Sequence, residues 1–426
     1  MTARDTPMAD PGYFPSPWPA EDGGPRRLQA PWSEGGGVLG LRPGERLHSV
    51  VRSIRGGTMT VLGAPGELFL LTHSMVRSNL GLPTTSRVER LDPDTLQTVR
   101  RSPRLPGGPM WPGGMAVHAN GSLYVVYGRW AHRLDRDCRP TGSLELPVAS
   151  AYNSFVVLDD GVLVTKNLSR REPSRLTVVD PETMRPACAD VECPEATVAR
   201  LSASGDVVYV VGVRSIFRYR WDRARARLEL DDDWRFDYVG ATRQSWGWDV
   251  VLDGRDAWFM DNGNHTYVIS MIGAGVVPTP NRLIRVSLAD ARDHSVLDVC
   301  GVPGGSITNP PLSVPSRRVV VGYDSANRRL RAWRHDPSNE VLTQIWEKQE
   351  FGCASHMIAW PGSGEIAVND YRRRGEEVVV LDLESGDERG RVRIGGLAQG
   401  VVFPSTGFGR DFYWTTFLRL ARIFPG

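Results

Sequence analysis

Short apolar runs recur along the chain from Thr58 onward, each bounded by Gly, Asn or Asp. The densest stretch, Gly113 to Pro147, holds four β-prone runs divided by Asn120-Gly121, Gly128-Arg129 and Asp135-Arg136-Asp137, the pattern of a four-stranded antiparallel meander. One meander buries too little apolar surface to stand alone, so it must stack against copies of itself. Copies are present. The third strand of each unit runs into an acidic turn, at Asp92, Asp135, Asp180, Asp222, Asp290, Asp336 and Asp382, with spacings of 43, 45, 42, 68, 46 and 46 residues. Five of the six intervals fit the roughly 40 to 50 residues of a propeller blade. The long one carries an insertion, residues 262–281, between the second and third strands of its unit, and a loop of that length inside a compact repeat reads as a lid.

The pattern predicts an all-β fold, a single β-propeller of four-stranded antiparallel blades over residues 46–426, with eight blades and seven as the alternative. The last unit supplies three strands only. The run Arg46 to Arg52 provides its fourth, so that pairing the two ends of the chain closes the ring and removes both sheet edges. Residues 1–45, rich in Pro and Gly with single aromatics, lack a periodic pattern and are expected to form an arm lying on the propeller or partly disordered. Gly35 to Gly40 formally fits GxGxxG, but no strand precedes it and no βαβ unit surrounds it, so it is not read as a nucleotide loop.

The outer-turn phrases Val380-Leu381-Asp382-Leu383-Glu384-Ser385-Gly386 and Val179-Asp180-Pro181-Glu182-Thr183 resemble those of the pyrroloquinoline-quinone-like and YVTN-type β-propeller repeat superfamily. The Gly-Lys and docking Trp that the resemblance leads one to expect after this Asp in quinoprotein dehydrogenases are absent, so no quinone is expected. Trp221-Asp222 and Trp248-Asp249 are WD dipeptides on different strands without a preceding Gly-His, which does not make a WD40 repeat.

Composition narrows the partners. A net charge of +2 with mixed signs offers no basic face for nucleic acid or anionic lipid. The start of the chain has no signal-peptide pattern, and the longest nearly uncharged apolar run, Val268 to Pro278, is about half of what crossing a bilayer needs; a cytoplasmic protein without a membrane partner is expected. Five cysteines without CxxC spacing argue against a disulfide framework and a structural zinc site. Oligomeric state is not legible.

In a propeller the ends of the second strands and the starts of the first strands converge on one mouth of the axial channel. Second-strand ends place His73, Tyr127, Lys166, Asp261, Tyr323, Asp324 and Asp370 there; first-strand starts add Trp111, Asn153, Trp246, Trp248, Asp249, Asn309 and His356, and the insertion adds His265. Taken singly, an Asp after a strand most often caps its own turn. As a ring, these groups predict a site for a small, partly hydrophobic molecule. Asp261, His356, Lys166 and Asp370 are the candidates for proton transfer or anchoring. Tyr127, Trp111, Asn153, Trp246, Trp248, Asn309, Tyr323, His73 and His265 are the candidates for binding. No cofactor is the first expectation. A divalent cation such as calcium, held by Asp249 and Asp324, is the second, by analogy with metal-dependent lactonases of this architecture. The functional expectation is an enzyme of the lyase, isomerase, cyclase or lactone-hydrolase kind; the alternative is a non-catalytic ligand-binding or protein-interaction propeller.

Overall fold

A computed structural model of the protein describes residues 10–33, 37–74, 77, 80–372 and 375–426. The protein is nearly all-β, with eight antiparallel sheets whose strands follow one another from the axis outward. Blade 1 consists of Gly57–Leu62, Leu68–His73, Thr85–Leu91 and Thr98–Arg101. Blades 2 to 7 follow over residues 114–145, 152–192, 202–237, 251–298, 312–349 and 358–393. Blade 8 takes Ser405–Thr406, Phe412–Thr415 and Arg419–Pro425 from the end of the chain and its outermost strand, Leu47–Ser53, from the beginning. These two terminal strands pair antiparallel from Leu47 opposite Pro425 to Ser53 opposite Arg419. This is the predicted ring closure.

The middle strands read as continuous apolar runs, such as Leu123–Tyr127 and Val319–Asp324, because neighbouring blades cover both of their faces. Between blades 5, 6 and 7 the packing is built from large side chains, among them Trp258, Met260, Trp333, Val321 and Ile366. The recurrent Asp is explained by the outer turn. Asp92, Asp180, Asp222 and Asp382 each accept two backbone N–H groups from the residues two and three places on, which fixes the turn between third and fourth strands.

Residues 10–33 of the N-terminal arm run across the axis at the face where the first strands end. The carbonyls of Trp18, Pro19, Pro25, Arg26 and Gln29 accept the N–H groups of Leu62, Val117, Ala203, Leu252 and Ala359. The Tyr13 hydroxyl accepts the Val157 N–H, and Gln29 donates to the Pro311 carbonyl. The segment thus contacts first strands of blades 1 to 7 and stoppers the channel from below. Gly35 and Gly36 of the glycine-rich run lie outside the described residues, as do Arg373 and Arg374.

Candidate site at the channel mouth

A cavity of about 410 Å³ opens at the face where the first strands begin. Trp111 and Trp248 stack with centroids 6.2 Å apart on one side, and Phe403, Phe417 and Tyr267 supply the opposite apolar wall. Asp249, Asn309, Thr308, Arg200 and His265 add polar groups, and Arg170 stands at the rim. The insertion crosses this opening. His265, Tyr267 and Val268 line the cavity, while the Tyr267 hydroxyl donates to the Gln399 carbonyl and Gln399 Oε1 accepts the Met271 N–H. Met271 is fully buried against Ala354 at its far end.

The stopper supplies the groups beneath the cavity. Glu21, Asp22 and Arg27 are at most 5% exposed although charged. Arg27 donates to Asp22 Oδ2 at 2.9 Å, to Glu21 Oε2 at 3.1 Å, to Ser154 Oγ at 3.0 Å and to the Leu201 carbonyl. Arg200 donates to Glu21, to the carbonyls of Pro112 and Asn153, and lies over the Phe403 ring at 4.4 Å. Asp249, at the start of blade 5, accepts the Arg200 N–H at 2.7 Å. His356, at the start of blade 7, packs on Phe403 with centroids 4.0 Å apart and brings Nδ1 to 2.8 Å from Asp22 Oδ1, but the two atoms are not aligned as a hydrogen bond. Asp22 holds φ at 52° and Arg27 at 55°. Strained left-handed residues of this kind persist where surrounding contacts fix them, as they do at functional sites. Burial acts to raise the Asp22 carboxyl, but the adjacent His356 and Arg27 outweigh it and hold the group below its usual range.

Of the residues singled out by sequence, Trp111, Trp248, Asp249, Asn309 and His265 line the cavity, Trp246 carries Arg170 on its ring at 5.4 Å, and His356 lies at the floor. Others are turned into the fold. Asp261 accepts both the backbone N–H and the guanidinium of Arg282 at 2.7 Å. Asp370 accepts Gly352 N–H, Arg372 and Arg391. Asp324 caps its turn by accepting from Ser306 N–H and from both Asn327 nitrogens. These three carboxylates are clamps between strands. Tyr127 donates to Thr84 Oγ1 and stacks on His73, whose buried ring is held neutral with a pKa lowered to about 4. Asn153 donates to the Val198 carbonyl. Tyr323 is fully buried with no partner for its hydroxyl. Lys166 is likewise buried with its ammonium unpartnered, and burial lowers its pKa to about 8. Sequence reasoning passed over Glu21, Asp22, Arg27 and Arg200. Only the presence of charged residues in an otherwise Pro- and Gly-rich arm marked the first three.

Among solved structures, the chain is similar to Sqt1 from Chaetomium thermophilum at 9% identity and TM-score 0.56, covering 87% of this chain and 96% of that one. It is similar to U3-55K at 9% identity and TM-score 0.50, covering 89% and 98%. The periplasmic gluconolactonase of Pseudomonas aeruginosa matches at 13% identity and TM-score 0.43, covering 80% and 86%. At these identities the likeness shows the fold alone. No family model and no curated protein matches the sequence. The class is therefore fixed: a β-propeller, here of eight blades, whose channel is stoppered by its own N-terminal segment. Within that class, the narrower likeness to the quinone-like and YVTN-type repeats has no family-level match behind it.

Proposed function

We propose that the protein is an enzyme acting on a small, partly hydrophobic organic molecule held in the mouth, with the polar floor of the cavity as the reacting end and no redox cofactor. The observation that carries this reading is the juxtaposition of a Trp-walled cavity with the buried, incompletely partnered His356, which packs on the cavity's Phe403 and meets Asp22. Structural polar groups in a core are normally satisfied, and unsatisfied ones cost about 1–3 kcal/mol each. Their retention next to an apolar pocket favours a site over a hydrated channel end. Hydrolysis of a lactone or ester, or proton transfer in a lyase or isomerase, suits such a set.

Tryptophan fluorescence of the full chain, titrated with a panel of small lactones, esters and aromatic carboxylates, tests the reading. Saturable quenching by at least one class is expected, weakened tenfold or more in Trp111→Ala, followed by turnover that His356→Ala abolishes. Absence of any saturable response across the panel overturns it. The second reading, a protein-interaction propeller, rests on the rim of the mouth, where Val268 and Ile269 of the insertion are 76% and 57% exposed close to Leu397 at 82%.

A further inference from the structure

We propose that Asp22, Asp249 and His356 bind one divalent transition-metal ion at the floor of the mouth. The proposal deepens the reading above by assigning the group that would face the substrate, and rests on it only for the ion's catalytic use. Each of the three residues offers one ligand atom, two carboxylate oxygens and a ring nitrogen, and these atoms lie within 4.8 Å of one another. They come from three distant parts of the chain: the stopper, the entry to blade 5 and the entry to blade 7.

Proximity alone would not make a site. The independent observation is that, among the described residues, Nε2 of His356 has no partner, and its Nδ1 and Oδ1 of Asp22 meet only each other, although each residue is 1% exposed. Nδ1 and Oδ1 approach to 2.8 Å without the alignment of a hydrogen bond. Two ligands that each sit about 2.1 Å from a shared ion lie about 3.0 Å apart in octahedral and about 3.4 Å apart in tetrahedral geometry, pointing at the ion and not at each other. The remaining atoms are held as outer partners hold metal ligands. Asp22 gives Oδ2 to Arg27 at 2.9 Å, Asp249 gives Oδ1 to the Arg200 N–H at 2.7 Å, and Phe403 fixes the plane of the imidazole. Each carboxylate therefore keeps one oxygen, and the Asp249 oxygen left over is 3.8 Å from Arg27.

One imidazole with two carboxylates suits zinc, manganese, iron(II) or cobalt better than calcium, which prefers six or more oxygens. Three protein ligands leave a position open, and Asp249 lines the cavity, so the open position faces the mouth. A second triad, Asp256, His335 and Glu340, offers a comparison within the same molecule. Arginine pairs with carboxylates in both triads, Arg285 with Asp256 at 2.7 Å and with Glu340 at 3.1 Å in the second; the difference is that no side-chain atom of the second triad is buried without a partner, whereas His356 Nε2 is.

The test uses the full chain, stripped with a chelator and titrated with Zn²⁺ and separately with Co²⁺, read by calorimetry and by visible absorption. One equivalent is expected to bind, with Co²⁺ giving ligand-field bands. Asp22→Asn and His356→Ala should each weaken binding at least tenfold, and His335→Gln should leave it unchanged. No saturable binding to the wild type, or undiminished binding in Asp22→Asn and His356→Ala, overturns the site. Should His356→Ala fold poorly, Asp249→Asn and the wild-type Co²⁺ spectrum decide: bands lost in Asp249→Asn support the site, and bands retained there overturn it. A bound ion without any response of the mouth to organic ligands would sustain the metal site and refute the enzymatic reading; ligand binding without an ion would do the reverse.

Discussion

Asp261 shows how burial and repeat position can disguise a structural residue. It is fully buried, and burial pushes its pKa up to about 6 even though the Arg282 charge opposes the rise. Such a group in a cleft would suggest catalysis, but here it ties the end of one strand to the start of the next. Removing one member of a buried pair leaves the other charge uncompensated, at a cost of roughly 3–5 kcal/mol. Asp261→Ala is therefore expected to lower stability by about 3 kcal/mol in denaturant melts, and a loss below about 0.5 kcal/mol would remove its structural role. Glu376 makes a pH prediction. Burial pushes its carboxyl up to about 8, although hydrogen bonds from the Gly400 backbone, Asn369 Nδ2 and Trp414 oppose the rise. Because the folded value lies above the unfolded one of about 4.5, the native state holds the extra proton between the two. Its contribution is thus complete below about pH 4.5 and declines as pH rises through about 8. Glu376→Gln should flatten that decline, measured as melting temperature against pH; an identical slope in both proteins would contradict the assignment. At this scale the sequence was readable where a residue repeats. The recurrent turn Asp could be recognised seven times over, whereas Asp22 occurs once, in a segment without periodicity, and its role depends on a His more than 300 positions away.

Among the elements, the insertion between the second and third strands of blade 5 is the one whose role reaches beyond its own blade. Its length alone marked it in the sequence, since a compact repeat has no use for a loop of that size. Where it would dock was not legible, because Gln399, the residue that receives it, sits in a connection with no pattern of its own. That side chain accepts the Met271 N–H at 2.7 Å and donates to the Gly352 carbonyl at 2.8 Å, bridging the insertion to the entry of blade 7. Gln399→Ala should release the far end of the insertion. Faster amide exchange at Met271 is expected, by tenfold or more, with the strands of blade 5 unchanged. Equal protection in the two proteins would mean that the apolar contact of Met271 with Ala354 suffices.

For the whole molecule, the ring depends on its closing strand pair. Every blade buries both faces of its middle strands against neighbours, so a gap at blade 8 would expose two such faces and two strand edges at once. A chain ending at Thr416 lacks the strand Arg419–Pro425 to which Leu47–Ser53 pairs. It is expected to aggregate or to melt without cooperativity by size-exclusion and calorimetric measurement; a monomer with a sharp, near wild-type transition would show that seven blades hold the ring alone. The architecture was legible at this scale because stacking forces each unit to repeat its apolar phrase. The stopper was not, because a segment whose backbone bonds strands of five different blades need obey no period.

That stopper has a consequence for the order of events during synthesis. Residues 10–33 leave the ribosome long before their partners, which extend to Ala359 and His356 more than 300 positions further on. They must wait, unplaced, until almost all the chain has emerged, and contacts of such long sequence separation form slowly. A nascent or truncated fragment that stops short of His356 therefore cannot assemble the three-residue floor.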